Sequence, residues 1–347
     1  MSLIDLILEP TVPPPIVAEL SGNHNQDFDT AKEILRLAAE NGAGAVKLQT
    51  YTADSITLPS KSEAFTVSAG LWAGSTLHEL YERASTPYEW HAPLAEYAKS
   101  IGIPLFSTPF DEAAVDFLES EIKPEIYKIS SFEITHIPLL ERVGSTGKPV
   151  IMSTGMAEKD EIQEALDALQ RNGCDKVVLL KCVSAYPSST NGYHLRSMIT
   201  LGREFKCPIG LSDHTLSNEV ALGATALGAR LVEKHFTRRR SDKGIDSGFS
   251  IEPEELRSLA DQVRTLHSAL GSENIGGTEQ DETQRQFRRS IYTSKTVSKG
   301  QTFSTDNIQI VRPAHGLAPK YWPQLLGKKA ARDLDPYSPL KLNDWIE

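Results

Sequence analysis

The sequence predicts a (β/α)8 TIM barrel followed by a small β-rich domain. Three observations carry this expectation. Eight short, apolar, β-rich runs alternate with helical patterns over about 250 residues, which suits a closed parallel barrel better than an open sheet. Polar and charged residues collect at the carboxyl ends of those runs, where such barrels keep their chemistry. After residue 270 the pattern breaks, and shorter strand-like pieces alternate with turns.

The expected strands span residues 16–20, 45–50, 104–108, 126–130, 149–154, 177–182, 209–213 and 231–236. The helices between them follow from spacing and stop signals. Ile34, Leu35 and Ala38 share a face before Gly42, and Ile162, Ala165, Leu166 and Leu169 do so before Gly173. Between the last two strands, Ser217 is the expected cap, Val220, Ala221, Ala224 and Leu227 form the apolar stripe, and Gly228 ends the helix. A strand, helix and strand at this spacing form a right-handed βαβ unit, so both strands end on the same side of the sheet.

The interval 51–103 is about twice the length of the others and holds Trp72, Tyr81, Pro87, Tyr88 and Trp90. It reads as an ordered excursion over the barrel mouth, with a purely structural insertion as the alternative. The last barrel helix is expected from Pro253 to Leu270, and residues 271–286 read as a polar, glycine-containing linker. Residues 287–347 form the second domain, with strand-like pieces at 290–295 and 308–311.

A net charge of −10 argues against nucleic acid or an anionic membrane as the main partner, since either favours a basic face. The three cysteines show no CxxC pairing and cannot all be bridged, which points to a reducing compartment. The first residues lack the basic start and long apolar run of a signal peptide, and no segment approaches the roughly 20 apolar residues that cross a bilayer. The expectation is a soluble, cytoplasmic protein.

The chemistry is expected at the strand ends. His214 and His235 lie 21 residues apart at matching ends of neighbouring strands, a placement suited to an open metal site. Only two protein ligands are evident, so water or substrate must complete the shell, which favours a hard or borderline ion such as Mn²⁺ or Mg²⁺. Asp213 and Glu233 are candidate hydrogen-bond partners for the two imidazoles. Lys47 and Lys128, with Thr108, Ser131, Ser153 and Ser212, form a set of cationic and hydroxyl groups suited to a phosphate and a carboxylate. The plainer alternative pairs these lysines with Glu19 or Glu133. Neither a Walker motif nor GxGxxG occurs, so no nucleotide cofactor is indicated.

Ordered motifs along nearly the whole chain resemble the sialic acid synthases, which condense phosphoenolpyruvate with an amino sugar. They are Ala18-Glu-Leu-Ser-Gly-Asn-His-Asn-Gln, Val46-Lys-Leu-Gln-Thr, Tyr127-Lys-Ile-Ser-Ser-Phe-Glu, Ser153-Thr-Gly-Met, Leu211-Ser-Asp-His-Thr and Glu233-Lys-His-Phe-Thr. Phe287-Arg-Arg-Ser-Ile-Tyr and Ile310-Val-Arg-Pro-Ala-His-Gly-Leu look like the antifreeze-like (SAF) domain of that family. Trp72-Ala-Gly-Ser-Thr-Leu-His-Glu-Leu-Tyr, Ser85-Thr-Pro-Tyr-Glu-Trp, Cys182-Val-Ser-Ala-Tyr-Pro and Gly244-Ile-Asp-Ser-Gly-Phe-Ser are most similar to its pseudaminic acid synthase branch.

The resemblance implies a division of labour. His214 and His235 would bind a divalent metal, Mn²⁺ first, with Mg²⁺ or Co²⁺ as alternatives. Lys47, Thr108, Lys128, Ser131, Ser153, Ser184 and Ser212 would hold phosphoenolpyruvate, and Glu19, Gln49, Tyr186 and Asp246 would face the sugar. Arg312 would reach an acetamido group in the barrel of a partner subunit, which implies a domain-swapped homodimer. The implied reaction joins phosphoenolpyruvate, water and 2,4-diacetamido-2,4,6-trideoxy-L-altrose to give pseudaminic acid and phosphate. Glu133 is the expected base for the attacking water, and Lys47 and Lys128 stabilise the departing phosphate. Phe132, Phe249 or Trp72 would line the end that receives the 6-deoxy methyl.

Three other readings stand beside this one. A neuraminate or legionaminate synthase would use a different amino sugar. A Schiff-base aldolase would use a strand-end lysine, with Lys181 the candidate. A non-catalytic carbohydrate- or ice-binding protein would leave the barrel inert.

Overall fold

A computed structural model describes residues 2–346, and their contacts divide the chain after Gly271. In the first unit, β1 (Ile16–Glu19), β2 (Ala45–Thr50), β3 (Leu105–Pro109), β4 (Tyr127–Ile129), β5 (Val150–Ser153), β6 (Val177–Cys182), β7 (Ile209–Asp213) and β8 (Val232–His235) form a closed, parallel barrel in chain order. Closure comes from β8 pairing with β1, which sets Glu19 opposite His235. All eight expected strands are present, with ends differing by a residue or two.

Strand side chains alternate between two faces, and the closed barrel makes those faces an inside and an outside. Val17, Ala45, Phe106, Ile126, Ile151, Val178, Leu180 and Leu231 point inward and pack together at the lower end. Two residues further along each strand, the inward positions become Glu19, Lys47, Thr108, Lys128, Ser153, Cys182 and Glu233. The alternate residues, such as Val46, Leu48, Tyr127, Ile129, Leu179, Leu211 and Val232, face the helices. The interior is therefore apolar below and charged above.

A short helix, Leu3–Leu8, seals the lower end with Leu3, Ile4 and Ile7 against the inward apolar layer. Sequence patterning missed it because six residues are too few to show a helical period. The helices Phe28–Glu40 and Lys159–Arg171 bury the expected faces, and Gly42 and Gly173 follow them with φ of +93° and +110°. The helix after β7 begins at Glu219 with Asn218 as its cap position, so Ser217 is not its N-cap. Ser217 is drawn instead into contacts with Lys234 and Thr215 through its carbonyl.

The long interval after β2 holds an excursion as well as a barrel helix. His91–Ser100 is that helix, burying Leu94 and Ala98 in the outer core. Residues 51–90 include the helices Ala53–Ile56 and Leu77–Ala84, the latter held by a Thr76–Glu79 capping box. No helix among the described residues is long and apolar enough to cross a membrane.

In the second unit, β9 (Ser290–Thr293) pairs antiparallel with β10 (Ile308–Val311), and β11 (Lys329–Ala330) with β12 (Trp345–Ile346). Ile291, Val297, Phe303, Ile308, Leu317, Leu325, Leu334 and Leu340 make its core. The two-residue strands carry no alternation and were not expected. Within the expected linker, Glu279–Glu282 forms one helical turn of exposed residues.

The apolar plug has a direct test. Replacing Ile7, which is fully buried, with Ala is expected to lower the unfolding free energy by about 2–4 kcal/mol in a denaturant titration. A loss under about 0.5 kcal/mol would place the amino-terminal helix outside the cooperative core.

Candidate active site

The inward charged layer brings together residues from nearly every strand. Lys47 is ion-paired with Glu19 and donates to Thr108 Oγ1 at 3.0 Å. Lys128 donates to Ser153 Oγ at 2.8 Å and to the Ile129 carbonyl at 3.1 Å. Glu233 lies between the two ammonium groups, 3.9 Å from Lys47 Nζ and 3.6 Å from Lys128 Nζ, and accepts a hydrogen bond from Ser212 Oγ at 3.3 Å. Two cations and two anions thus share a buried space at the top of the barrel.

Their electrostatics follow from that crowding. Burial pushes the Glu19 carboxyl up despite Lys47, whereas for Glu233 the burial effect is outweighed by Lys128, Lys47 and His214, which hold it down. Burial pulls the Lys128 ammonium down, while Glu19 and Glu233 hold Lys47 above its ordinary value against the same burial. The plainer reading of the lysines is half right. Lys47 does pair with Glu19, but the carboxylate beside Lys128 is Glu233, not Glu133.

Ser131, Ser184 and Gly155 form a second cluster beside this layer. Gly155 has φ +36°, and a Cβ there would lie 2.5 Å from Ser131 Oγ and 2.7 Å from Ser184 Oγ. Only glycine leaves that cradle open. Six groups expected to hold an anion (Lys47, Thr108, Lys128, Ser153, Ser212 and the Ser131–Ser184 pair) therefore surround one end of the barrel interior.

His214 and His235 stand with ring centroids 5.4 Å apart. His214 Nδ1 donates to the Val183 carbonyl at 2.8 Å, which leaves Nε2 as the ring atom available to a ligand. His235 Nδ1 is buried without a hydrogen-bond partner. Burial, then His214, Lys47 and Lys128, hold the His235 imidazole well below its ordinary value and thus neutral, the form a metal requires. Among the described residues, no group of three His, Cys, Asp or Glu side chains is arranged to hold a metal ion. A cation on this imidazole pair would keep positions open for water or substrate. The expected partnership with Asp213 and Glu233 is not present. Asp213 faces outward to Lys234 at 2.7 Å, because it sits at the opposite parity from Ser212, and Glu233 is engaged by the lysines and Ser212.

Above this floor lies a cavity of about 420 Å³. Its polar lining includes Gln49, Ser21, Glu133, Tyr186, His235 and Asp246. Its apolar wall includes Ile56, Val67, Leu77, Leu80, Phe110 and Trp72. Most of that wall comes from residues 51–90, so the excursion does cover the mouth. Phe132 and Phe249 also line the space, and Trp72 Nε1 is tied to the Ile245 carbonyl at 3.0 Å. Tyr186 packs on His214 with centroids 4.5 Å apart and on Phe249 at 5.1 Å. Glu133 accepts from Ser130 Oγ, and burial pushes its carboxyl up to about 7, offset in part by Lys128. Asp246 accepts from Ser21 Oγ, and burial raises it.

Two expected residues lie elsewhere. Glu19 is deeper than the cavity wall, with its carboxylate committed to Lys47 and the Ser21 amide. Arg312 belongs to the second unit, exposed just after β10. The apolar residues Val67, Leu77 and Leu80 were not foreseen, because surface loops and short helices give no periodic signal for a wall.

A family model described as NeuB family matches residues 34–275, and one described as SAF domain matches residues 288–344. The chain belongs to the NeuB family. It is 43% identical to the pseudaminic acid synthase of Helicobacter pylori over 96% of this chain and 98% of that protein. It is 40% identical to the pseudaminic acid synthase of Campylobacter jejuni over 95% of this chain and 96% of that one. Among solved structures, the N-acetylneuraminic acid synthetase of Leptospira borgpetersenii in complex with citrate matches with TM-score 0.71 at 31% identity, covering 79% of this chain and 90% of that chain. The (β/α)8 barrel with its carboxyl-terminal SAF domain is the architecture of this NeuB chain.

The Schiff-base candidate fails on strand parity. Lys181 lies between inward Leu180 and Cys182, at the same parity as outward Leu179, so its amine is directed away from the barrel interior. Treatment with pyruvate and borohydride is therefore expected to leave Lys181 unmodified in peptide mass spectrometry. A reduced pyruvyl adduct on that residue would restore the aldolase reading.

Proposed function

We propose that this enzyme condenses phosphoenolpyruvate with 2,4-diacetamido-2,4,6-trideoxy-L-altrose and water, releasing pseudaminic acid and phosphate. The observation that carries the reading is a barrel mouth where His235 lines a cavity with Glu133, Tyr186, Asp246 and an apolar wall, with His214 at a ring-centroid distance of 5.4 Å from His235 and with Lys47 and Lys128 buried among carboxylates at the same end of the barrel. The similarity to the Helicobacter pylori and Campylobacter jejuni synthases over nearly their full length supports it.

In this reading Lys47, Thr108, Lys128, Ser131, Ser153, Ser184 and Ser212 bind phosphoenolpyruvate. Gln49, Tyr186 and Asp246 position the open-chain sugar, with Glu19 acting from below through Lys47. His214 and His235 hold a divalent cation, Mn²⁺ first. Bound between these imidazoles, such a cation would supply Lewis-acid polarisation of a carbonyl oxygen. The unpartnered Nδ1 of His235 and the carbonyl-anchored ring of His214 fit such a role.

The protein's own groups account for the remaining steps. C3 of phosphoenolpyruvate bonds to the aldehyde carbon, the carbonyl π pair moves to the aldehyde oxygen, which ends as a hydroxyl by gaining the proton that water gives up, and positive charge develops at C2. Glu133 takes a proton from the water that adds to C2. The C2–O bond to phosphate then breaks as the C2 hydroxyl becomes the ketone and its proton leaves with the phosphate, and Lys47 and Lys128 stabilise the leaving anion. The cavity's apolar wall suits the 6-deoxy methyl, where a hydroxyl-bearing arm would be left without partners. We further assign Arg312 to an acetamido group in a partner subunit's barrel, within a domain-swapped homodimer acting in the cytoplasm.

Phosphate release is the test. Metal-stripped protein restored with Mn²⁺ is expected to turn over the diacetamido trideoxy sugar with kcat/KM roughly 10- to 200-fold above N-acetylmannosamine, the range a single apolar pocket supplies. Equal rates would shift the reading to a neuraminate synthase, and no phosphate release with any amino sugar would remove it. Changing His235 to Ala is expected to abolish release.

Glu133 gives a pH signature. A base must be ionised, so kcat/KM is expected to rise with pH through about 7, the value set mainly by burial. Glu133→Gln should flatten that limb and lower kcat by roughly 10²- to 10⁴-fold. An unchanged profile in the variant would assign the base elsewhere.

A further inference from the structure

Behind the two histidines, on the outer side of the barrel wall, lies a second buried polar cluster that the proposed chemistry does not use. Lys234 and Asp213 form an ion pair at 2.7 Å, with side-chain exposures of 1% and 0%. An ammonium has three protons to donate. Lys234 Nζ places them on Asp213 Oδ2, on the Thr215 carbonyl at 2.6 Å and on the Ser217 carbonyl at 3.2 Å. Asp213 Oδ1 in turn accepts from the Thr215 amide and hydroxyl, each at 2.9 Å, and from the Tyr193 hydroxyl at 3.0 Å.

Tyr193 is the hub that joins this cluster to the site. Its ring is buried in the outer core. Its hydroxyl donates to Asp213 and accepts from the His214 backbone amide at 2.9 Å and from Ser188 Oγ at 3.0 Å. The Ser188 amide returns a bond to the His214 carbonyl at 3.2 Å. His214 is therefore held at its amide, its carbonyl and its ring Nδ1, and all three contacts come from the segment after β6 that also carries Tyr186.

A buried ion pair costs desolvation free energy that hydrophobic residues of similar volume would not. Here it is completely hydrogen-bonded and ties together the segment following β6, the end of β7 with the turn after it, and β8. Its arrangement suits holding those segments in one geometry more than adding stability.

We propose that Tyr193, Asp213 and Lys234 are positioning residues that lock the segment bearing Tyr186 and the segment bearing His214 together, and so set the His214–His235 pair for a cation. This rests on the reading of the two histidines as a metal site. Disruption should loosen the site more than it loosens the fold.

The experiment compares Tyr193→Phe with Tyr127→Phe in the full-length protein. Tyr127 is also a buried tyrosine, but its hydroxyl donates to Glu119 at 2.7 Å among the outer helices. Both changes should lower the melting temperature by a few degrees. Mn²⁺ binding to the metal-stripped protein is followed by electron paramagnetic resonance. Tyr193→Phe is expected to raise the Kd at least roughly tenfold, as for lost orienting partners of metal ligands, with Tyr127→Phe within twofold of the wild type. Exchange of the His214 amide is followed in parallel without metal. It should accelerate on the order of fivefold in Tyr193→Phe alone, as expected for one lost hydrogen bond.

The outcomes separate the two claims. If the wild type binds no Mn²⁺, or His214→Ala binds it equally well, the metal reading fails, while the amide exchange still decides whether Tyr193 positions His214. If Tyr193→Phe matches Tyr127→Phe in both Kd and amide exchange, the positioning proposal is overturned.

Discussion

Inside a closed eight-stranded barrel there is room for side chains but little room for water, so any charge placed there must find its partner within the protein. This chain puts four charges at that level. Lys47, Lys128, Glu19 and Glu233 satisfy one another in the upper interior, above an apolar layer that excludes solvent from below. Removing any one of them would leave an uncompensated ion in a low-dielectric space, at a cost of several kcal/mol. The same crowding sets the two lysines apart: burial disfavours charged Lys128, whereas Glu19 and Glu233 hold Lys47 above its ordinary value.

The two faces of each strand divide the chemistry. Inward residues carry the lysines, the hydroxyls and His235 at the upper end of the barrel. Outward residues one step away, Asp213 and Lys234, pair with each other outside it. Their bonds act on the backbone of the segments that leave the barrel, and one buried hydroxyl on Tyr193 receives the amide of His214. Residues 51–90 add a third component, an apolar wall that no barrel strand provides.

Much of the barrel was legible because its determinants are local. Each strand is a short run of Val, Ile and Leu, and each helix repeats its apolar face between recognisable caps, so composition and period locate both. Gly42 and Gly173 mark helix ends by a backbone conformation that other residues adopt at a cost. Where the local signal is short or ambiguous the reading slipped. The six-residue amino-terminal helix and the two-residue β11 and β12 are too brief to show a period, and Ser217 looked like a cap although its carbonyl is claimed by Lys234.

Residue order alone determined that eight strands alternate with helices, that His214 and His235 end neighbouring strands, and that lysines and hydroxyls sit at strand ends. These are consequences of spacing along one chain. Which carboxylate stands beside which lysine, the outward parity that sets Lys181 and Asp213 apart from the interior, and the wall formed by Val67, Leu77 and Leu80 were decided only by the tertiary structure. Those relations depend on barrel closure and on contacts between segments up to two hundred residues apart, and no local propensity encodes a distance of that kind.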